Sequence, residues 1–221
     1  MAQVPGAERV FEALLAKSGP GRVAAVTQAV RQCRGGLSGI RDSDGITLLC
    51  HAALHGLEKE ALSALVHGGC SVDAAEPGGL RLLHVLVSRQ RPQHISHLLA
   101  LGTNWRLGDR NHGDCPLHYA ISRPITGDLG AAHRTAAIRH LTLGAPEGAE
   151  AAILHRHPST GYTALHVAAE AGDAATLAFF LAEAWDLGRR FPLGAPVEVV
   201  DAADYRGHTA LWVASSKVIA A

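Results

Sequence analysis

Fourteen histidines and four cysteines are the residues of this 221-residue chain best suited to chemistry. Imidazole serves as general base or metal ligand near neutral pH, and a thiolate as nucleophile or ligand. Their spacing decides the matter. His51 and His55 stand four apart, as two zinc ligands on one helix face would, but Ala52-Ala53-Leu54 lies between them. That leaves no Glu to act as base and no third ligand, so no metal is expected. His94 and His97, three apart, are expected on the solvated outer face of a helix, and His155 and His157 in a projecting loop, free for partner contact. Cys33, Cys50, Cys70 and Cys115 form no Cys-x-x-Cys pair and are expected to be small apolar residues in a reducing compartment. The chain contains no Gly-x-Ser-x-Gly elbow, phosphate loop or dinucleotide glycine fingerprint, so neither catalysis nor a cofactor is expected.

His84, His118 and His166 share one setting, which turns attention to the elements that must position them. Gly161-Tyr162-Thr163-Ala164-Leu165-His166-Val167-Ala168-Ala169-Glu170-Ala171-Gly172 places a Thr at a helix mouth, a Leu-His pair one turn in, small residues, and a terminating Gly. The same plan can be laid over the stretches beginning at Gly45, Gly79, Gly113 and Gly207. Taking Thr47, Arg81, Cys115, Thr163 and Thr209 as phase markers, the spacings are 34, 34, 48 and 46 residues. A fixed period of this kind signals stacked supersecondary units. In each unit a short first helix is followed by a second carrying apolar pairs such as Leu65-Val66 and Phe179-Phe180. The second helices are expected to end on left-handed glycines at Gly69, Gly102 and Gly144.

Before the first marker, Val10 to Lys17 and Arg22 to Arg34 read as a helical hairpin broken at Ser18-Gly19-Pro20-Gly21. It lacks the Gly-x-Thr start, as an atypical terminal repeat would. Two stretches exceed the period, Ser122 to Gly130 and Asp186 to Val197, both rich in Pro and Gly and both expected as surface loops. The second unit carries Leu86-Val87 in place of two small residues, which predicts looser packing there. The fifth unit stops just past its first helix, so more repeats are expected to follow.

Twenty basic residues balance twenty acidic ones, so no net charge draws the chain to nucleic acid or an anionic membrane. No segment has the length of apolar residues that spans a bilayer, and the N-terminus lacks the pattern of a signal peptide. An intracellular protein, cytoplasmic or nuclear, is expected.

The Thr-Ala-Leu-His start, its variants at Cys115-Pro116-Leu117-His118 and Thr47-Leu48-Leu49-Cys50, and the Gly-plus-small-residue exits resemble the ankyrin repeat over about Asp42 to Ala214. The resemblance implies an all-α solenoid of stacked antiparallel helix pairs with projecting hairpin loops. Residues 1–41 would form a capping hairpin and 42–221 about four repeats plus a truncated one, with insertions near 123–130 and 186–197. It also implies that the repeated histidines hydrogen-bond to the helix start and adjoining loop, a network interrupted where Cys50 and Trp212 take their place. Thr47, Thr163 and Thr209 would cap their helices.

Carried over by position, the variable residues of such repeats give a partner-binding set. These are Ser43, Asp44 and His55 in the first unit, Arg89 in the second, and Asn111, His112, Asp114 and Arg123 in the third. The fourth gives Tyr162 and Glu170, and the last Tyr205, Arg206 and His208. Tyr162, Tyr205, Arg89, Arg123 and Arg206 are the preferred anchors, since Tyr and Arg dominate many interfaces. Trp105 and Trp185 could serve as anchors or fill the core. The expected function is binding another protein through the concave face and loop tips, as scaffold, adaptor or inhibitor. The alternative is a substrate-recruiting domain of a larger enzyme whose catalytic part lies elsewhere.

Overall fold

The computed structural model describes residues 7–15, 20–33, 37–56, 58–89, 91–123, 127–190 and 195–220. Among them every regular element is helical. There are thirteen α-helices and two short 3-10 turns, with isolated antiparallel bridges at Arg41–Thr47, Ala75–Arg81 and Ala203–Thr209 in place of strands. The chain divides into two compact units, Met1–Asn104 and Trp105–Ala221. No helix among the described residues is long and apolar enough to cross a membrane.

In the first unit, α1 (Ala7–Leu15) and α2 (Pro20–Gln32) form the expected N-terminal hairpin. The break between them begins outside the described residues, at 16–19. The helices α3 (Leu48–Leu54) and α4 (Lys59–His67) follow, then α5 (Leu82–Ser88) and α6 (Ile95–Ala100). α3 packs on α1, α4 and α5, and α2 on α4. Gly68 allows that last contact, since a Cβ there would sit 2.5 Å from Val30 Cγ1. Leu86, whose bulk predicts looser packing, is fully buried.

In the second unit, α7 (Pro116–Ser122), α10 (Ala164–Ala171) and α13 (Ala210–Ala220) form an inner layer, with α10 packed against both the others. Behind them lie α8 (Gly127–Leu143) on α7 and α11 (Ala174–Arg190) on α10. α10 starts at Thr163 and stops at Gly172, which takes the left-handed conformation (φ 68°) that costs a residue with a Cβ. Asp173 then starts α11 by accepting the Thr176 N–H (3.0 Å). Gly69 and Gly102 end their helices with positive φ as expected, whereas Gly144 is not among the positive-φ glycines. A further helix, α9 (Ala149–Leu154), follows at once, and the positive φ falls on its N-cap Gly148 (95°) instead.

The two expected loops are largely helix. Gly127–Gly130 open α8, Asp186–Arg190 finish α11, and Ala195–Val197 open α12 (Ala195–Val200); residues 124–126 and 191–194 lie outside the described set. Glycine in a first turn and Pro196 near a helix start are tolerated because those N–H groups have no intrahelical acceptor. The extra length of the longer units thus goes into 17-residue α8 and α11, against 9 residues for α4, and into α9 and α12. α9 packs on α8, α10, α11 and α12, burying Ala152 and Ile153.

Phe180, on α11, is the largest fully buried side chain among the described residues. Phe180→Ala is expected to cost about 3–5 kcal/mol, read as a lower midpoint of urea unfolding; a change under about 1 kcal/mol would place α11 outside the core.

Candidate partner-binding face

Each inner helix is entered through a hairpin whose tight turn leaves backbone N–H groups needing acceptors. In three of the five hairpins one aspartate at the base supplies them. Asp42 Oδ1 accepts from Asp44 (2.9 Å) and Ile46 (2.8 Å), Asp109 Oδ1 from His112 and Gly113 (2.8 Å each), and Asp204 Oδ1 from Arg206 and His208 (2.8 Å each). Burial by itself would raise the Asp109 and Asp204 pKa values, but the backbone N–H bonds outweigh it and both are held below the usual carboxylate range. In the fourth hairpin His157 takes this place. Its Nδ1 accepts from Thr160 Oγ1 (3.2 Å), so Nε2 carries the hydrogen and donates to the His112 carbonyl (2.9 Å).

The hairpins are also joined to their neighbours within each unit. In the first, Arg41 donates to the carbonyls of Gly45 (2.5 Å) and Ala75 (2.8 Å). In the second, Arg156 donates to the carbonyls of Gly161 and Ala203, and the Tyr205 N–H to the Thr160 carbonyl (3.1 Å). The tips at 110–112, 158–160 and 205–206 therefore form one row. Gly161 is required in it, because it has φ 75° and a Cβ would lie 2.7 Å from the Tyr205 nitrogen.

The helix starts follow the expected network in part. His166 Nδ1 accepts from Thr163 Oγ1 (2.8 Å) and the Thr163 N–H (3.2 Å), while Nε2 donates to the His208 carbonyl in the next hairpin (2.9 Å). His84 Nδ1 accepts the Arg81 N–H (3.3 Å). Where Cys50 interrupts the series, Glu76 of the following hairpin substitutes, its buried carboxylate accepting from Thr47 N–H (3.0 Å) and Oγ1 (2.5 Å). His118 is the departure. With Cys115 in place of Thr it has no hydroxyl partner, and neither ring nitrogen makes a hydrogen bond of good geometry. Burial, reinforced by His155 and His157, lowers its pKa to about 3, with the His155 backbone opposing slightly.

Several expected roles change. His94 is buried and not on a solvated face, and His97 Nε2 reaches Ser63 Oγ (3.1 Å). His155 is no loop-tip contact: it stacks on His118 (ring centroids 6.0 Å apart) and meets Trp105 edge-on. His157 is half-buried in the framework. Trp105 fills the core and donates from Nε1 to Glu147 Oε2 (2.8 Å); the Trp185 side chain lies outside the described residues. His51 and His55 stack with centroids 4.5 Å apart, and no grouping of His, Cys, Asp and Glu among the described residues has the form of a metal site. Burial pushes the Cys50, Cys70 and Cys115 thiols up to about 12, far from the thiolate a nucleophile needs.

Of the sequence-derived binding set, the first unit holds Ser43, Asp44, His55 and Arg89, all exposed. In the second unit Asn111, His112, Arg123, Glu170, Tyr205 and Arg206 are exposed, and Asp114, Tyr162 and His208 half-buried. Tyr162 lies on the His166 ring (5.3 Å) and Arg123 on the Tyr119 ring (4.3 Å). Asp114 Oδ1 is 3.7 Å from His157 Nε2. The His208 ring lies flat on Trp212, with centroids 3.4 Å apart; Trp212 is 49% exposed and Tyr205 61%. Trp212 and the base aspartates escape the sequence reading. The aspartates have a signal, an acidic residue three or four places before the hairpin Gly; Trp212 has none, since its phase is a framework one.

No protein-family model matches the chain, and no curated protein matches it. Among solved structures the chain resembles one in the complex of the Bd0816 predatory endopeptidase from Bdellovibrio bacteriovorus with the immunity protein Bd3460. The TM-score is 0.56 at 19% identity, covering 97% of this chain and 94% of that one. At that identity the likeness bears on the fold alone.

Two outcomes follow from the buried framework. Glu76→Ala leaves the Thr47 donors without an acceptor and is expected to cost about 1–3 kcal/mol, measured by urea unfolding; an unchanged midpoint would discount the substitution role. A His with a lowered folded pKa binds its proton more readily when unfolded, so its contribution is complete above about pH 6.5 and is lost as pH falls towards 3. The His118 share of that slope is at most about 1.4 kcal/mol per pH unit. His118→Leu should flatten the stability profile between pH 6 and 4 by about that amount, and an unaltered profile would show that His118 is not held neutral.

Proposed function

We propose that this chain is a non-catalytic ankyrin-repeat module that binds another protein through the hairpin tips and inner helices of its repeats, as scaffold, adaptor or inhibitor. The observation that carries this reading is the division of labour in the second unit. There Asp109, His157 and Asp204 satisfy the hairpin backbone from within, and the tips are joined into a row. The outward side chains of that row, Tyr205 and Arg206 among them, are exposed, as is His112, whose Nδ1 stays 3.4 Å from Asp109 Oδ2. Side chains held at fixed spacing on a stiff support lose little entropy on binding. The repeat assignment draws support from the Thr163–His166 capping box, its bond to the next hairpin, and inner helices α7, α10 and α13 packed in chain order.

A Tyr205→Ala, Arg206→Ala double variant alters two exposed residues and should keep its circular dichroism and unfolding midpoint. In quantitative affinity capture from the source cells it is expected to lose the partners held by the wild type by about tenfold or more. Identical captured sets would move the binding face elsewhere.

A further inference from the structure

The fourth hairpin is held by an imidazole where its neighbours use a carboxylate, and the two acceptors respond differently to acid. The Ser159 N–H (3.3 Å), the Thr160 N–H (3.4 Å) and Thr160 Oγ1 (3.2 Å) meet His157 Nδ1, while Nε2 faces the His112 carbonyl (2.9 Å). A backbone amide only donates and a carbonyl only accepts, so Nδ1 holds the lone pair and Nε2 the hydrogen. An imidazolium has no lone pair. A proton and the closed tip therefore compete for the same electrons on Nδ1.

The two sides of the ring respond in opposite ways. At Nε2 the bond to the His112 carbonyl gains charge, and Asp114 Oδ1, 3.7 Å away, becomes a counter-ion. At Nδ1 the Thr160 hydroxyl can turn and accept, but the two amides cannot. Ser159 and Thr160 are exposed, so water replaces the lost acceptor. The bonds from His157 N–H to the Tyr162 carbonyl and from Gly161 N–H to the His157 carbonyl (2.8 Å each) use no ring atom and persist. The change is confined to the tip at 158–160.

The neighbouring acceptors do not share this sensitivity. Asp109 and Asp204 are held below the usual carboxylate range and go on accepting in mild acid. His84 and His166 also accept through Nδ1, but both are fully buried, whereas His157 is half-buried among exposed residues at 156 and 158–160. The other titratable and charged groups around His157 are few. His118 on α7, with its ring 6.2 Å away, is lowered by burial to about 3 and stays neutral in mild acid. His155 is lowered by burial and by Arg106. The Arg156 guanidinium is bonded to the Gly161 and Ala203 carbonyls, and the His112 ring stands beside Asp109.

We infer that the fourth hairpin is a pH-gated element: neutral His157 closes its tip, and protonation at Nδ1 releases Ser159 and Thr160 while the ring stays on the third hairpin. The Thr160 carbonyl accepts the Tyr205 N–H (3.1 Å), so this release also loosens the tie between the fourth and fifth tips. The switch is a property of the chain alone and goes beyond the binder reading. Where that reading holds, acid takes the middle tip out of the row.

NMR of the whole ¹⁵N-labelled chain tests this between about pH 7.5 and 5, the range in which imidazoles titrate. Long-range correlations on the His157 ring report protonation of Nδ1, and amide relaxation reports order at the tip. The Ser159 and Thr160 order parameters are expected to fall from about 0.85 to below about 0.6 in step with that protonation. Gly113 and His208, whose amides rest on Asp109 and Asp204, should keep theirs. His157→Asn offers an acceptor that takes up no proton, and its tip should stay ordered at both ends of the range. Order unchanged while Nδ1 is protonated, a loss that follows the titration of His155 instead, or a loss that persists in His157→Asn would each overturn the inference. Circular dichroism checks the variant, and if it does not fold the wild-type titration decides. No partner is present, so failure here leaves the binder reading standing, and failure of the capture experiment leaves the switch.

Discussion

The turn into each inner helix is the constraint on which the rest of this structure depends. A hairpin that reverses the chain and then starts a helix leaves two sets of N–H groups unsatisfied, those of the turn and those of the helix's first residues. Here both sets are answered by side chains close in sequence. At the entry to α10, His157 serves the turn and Thr163 with His166 the helix start, and the spare His166 nitrogen then reaches the carbonyl of His208 in the next hairpin. One imidazole therefore satisfies its own helix and ties it to the following hairpin. Stacking of the inner helices and alignment of the tips share this origin.

The requirement is for acceptors, not for particular residues, and the substitutions show it. Glu76 reaches back to the Thr47 donors where no histidine is present, and His157 replaces aspartate at a hairpin base. Cys115 is the case where substitution is incomplete. The neighbouring His118 keeps its place in the core but loses its partner, and burial holds it neutral. The surrounding His155, Trp105 and Glu147 belong to the same unit and pack around this defect.

The parts legible in the sequence are those with a strong local cause. The N-terminal helical hairpin, the Thr-capped starts of α3, α10 and α13, and the left-handed ends at Gly69 and Gly102 have the residues that dictate them nearby in the chain. The short α9 and α12 do not, since six residues without a capping hydroxyl carry little periodic signal and are held by packing on α8 and α11. His155 misleads for a related reason. By composition a histidine between helices is solvated, and only the fold brings the His118 ring against it. Position in the repeat also misplaces Leu211, which shares the phase of the buried Leu165 yet is 77% exposed, with no described element over it.

The same logic governs which side chains remain exposed at the tips. A tip residue is released from framework duty only when the base of its hairpin supplies the acceptors, and an aspartate that does so is turned inward. In the second unit this removes Asp109 and Asp204 from the outer surface while leaving Arg110 and Arg206, their immediate and near neighbours, outward. The screened, hydrogen-bonded carboxylates still moderate the local field, so what the row presents is a set of directional donors more than a broad positive potential. The constraint that shapes each turn thus also sorts its charges, carboxylates to the base and guanidiniums to the tip.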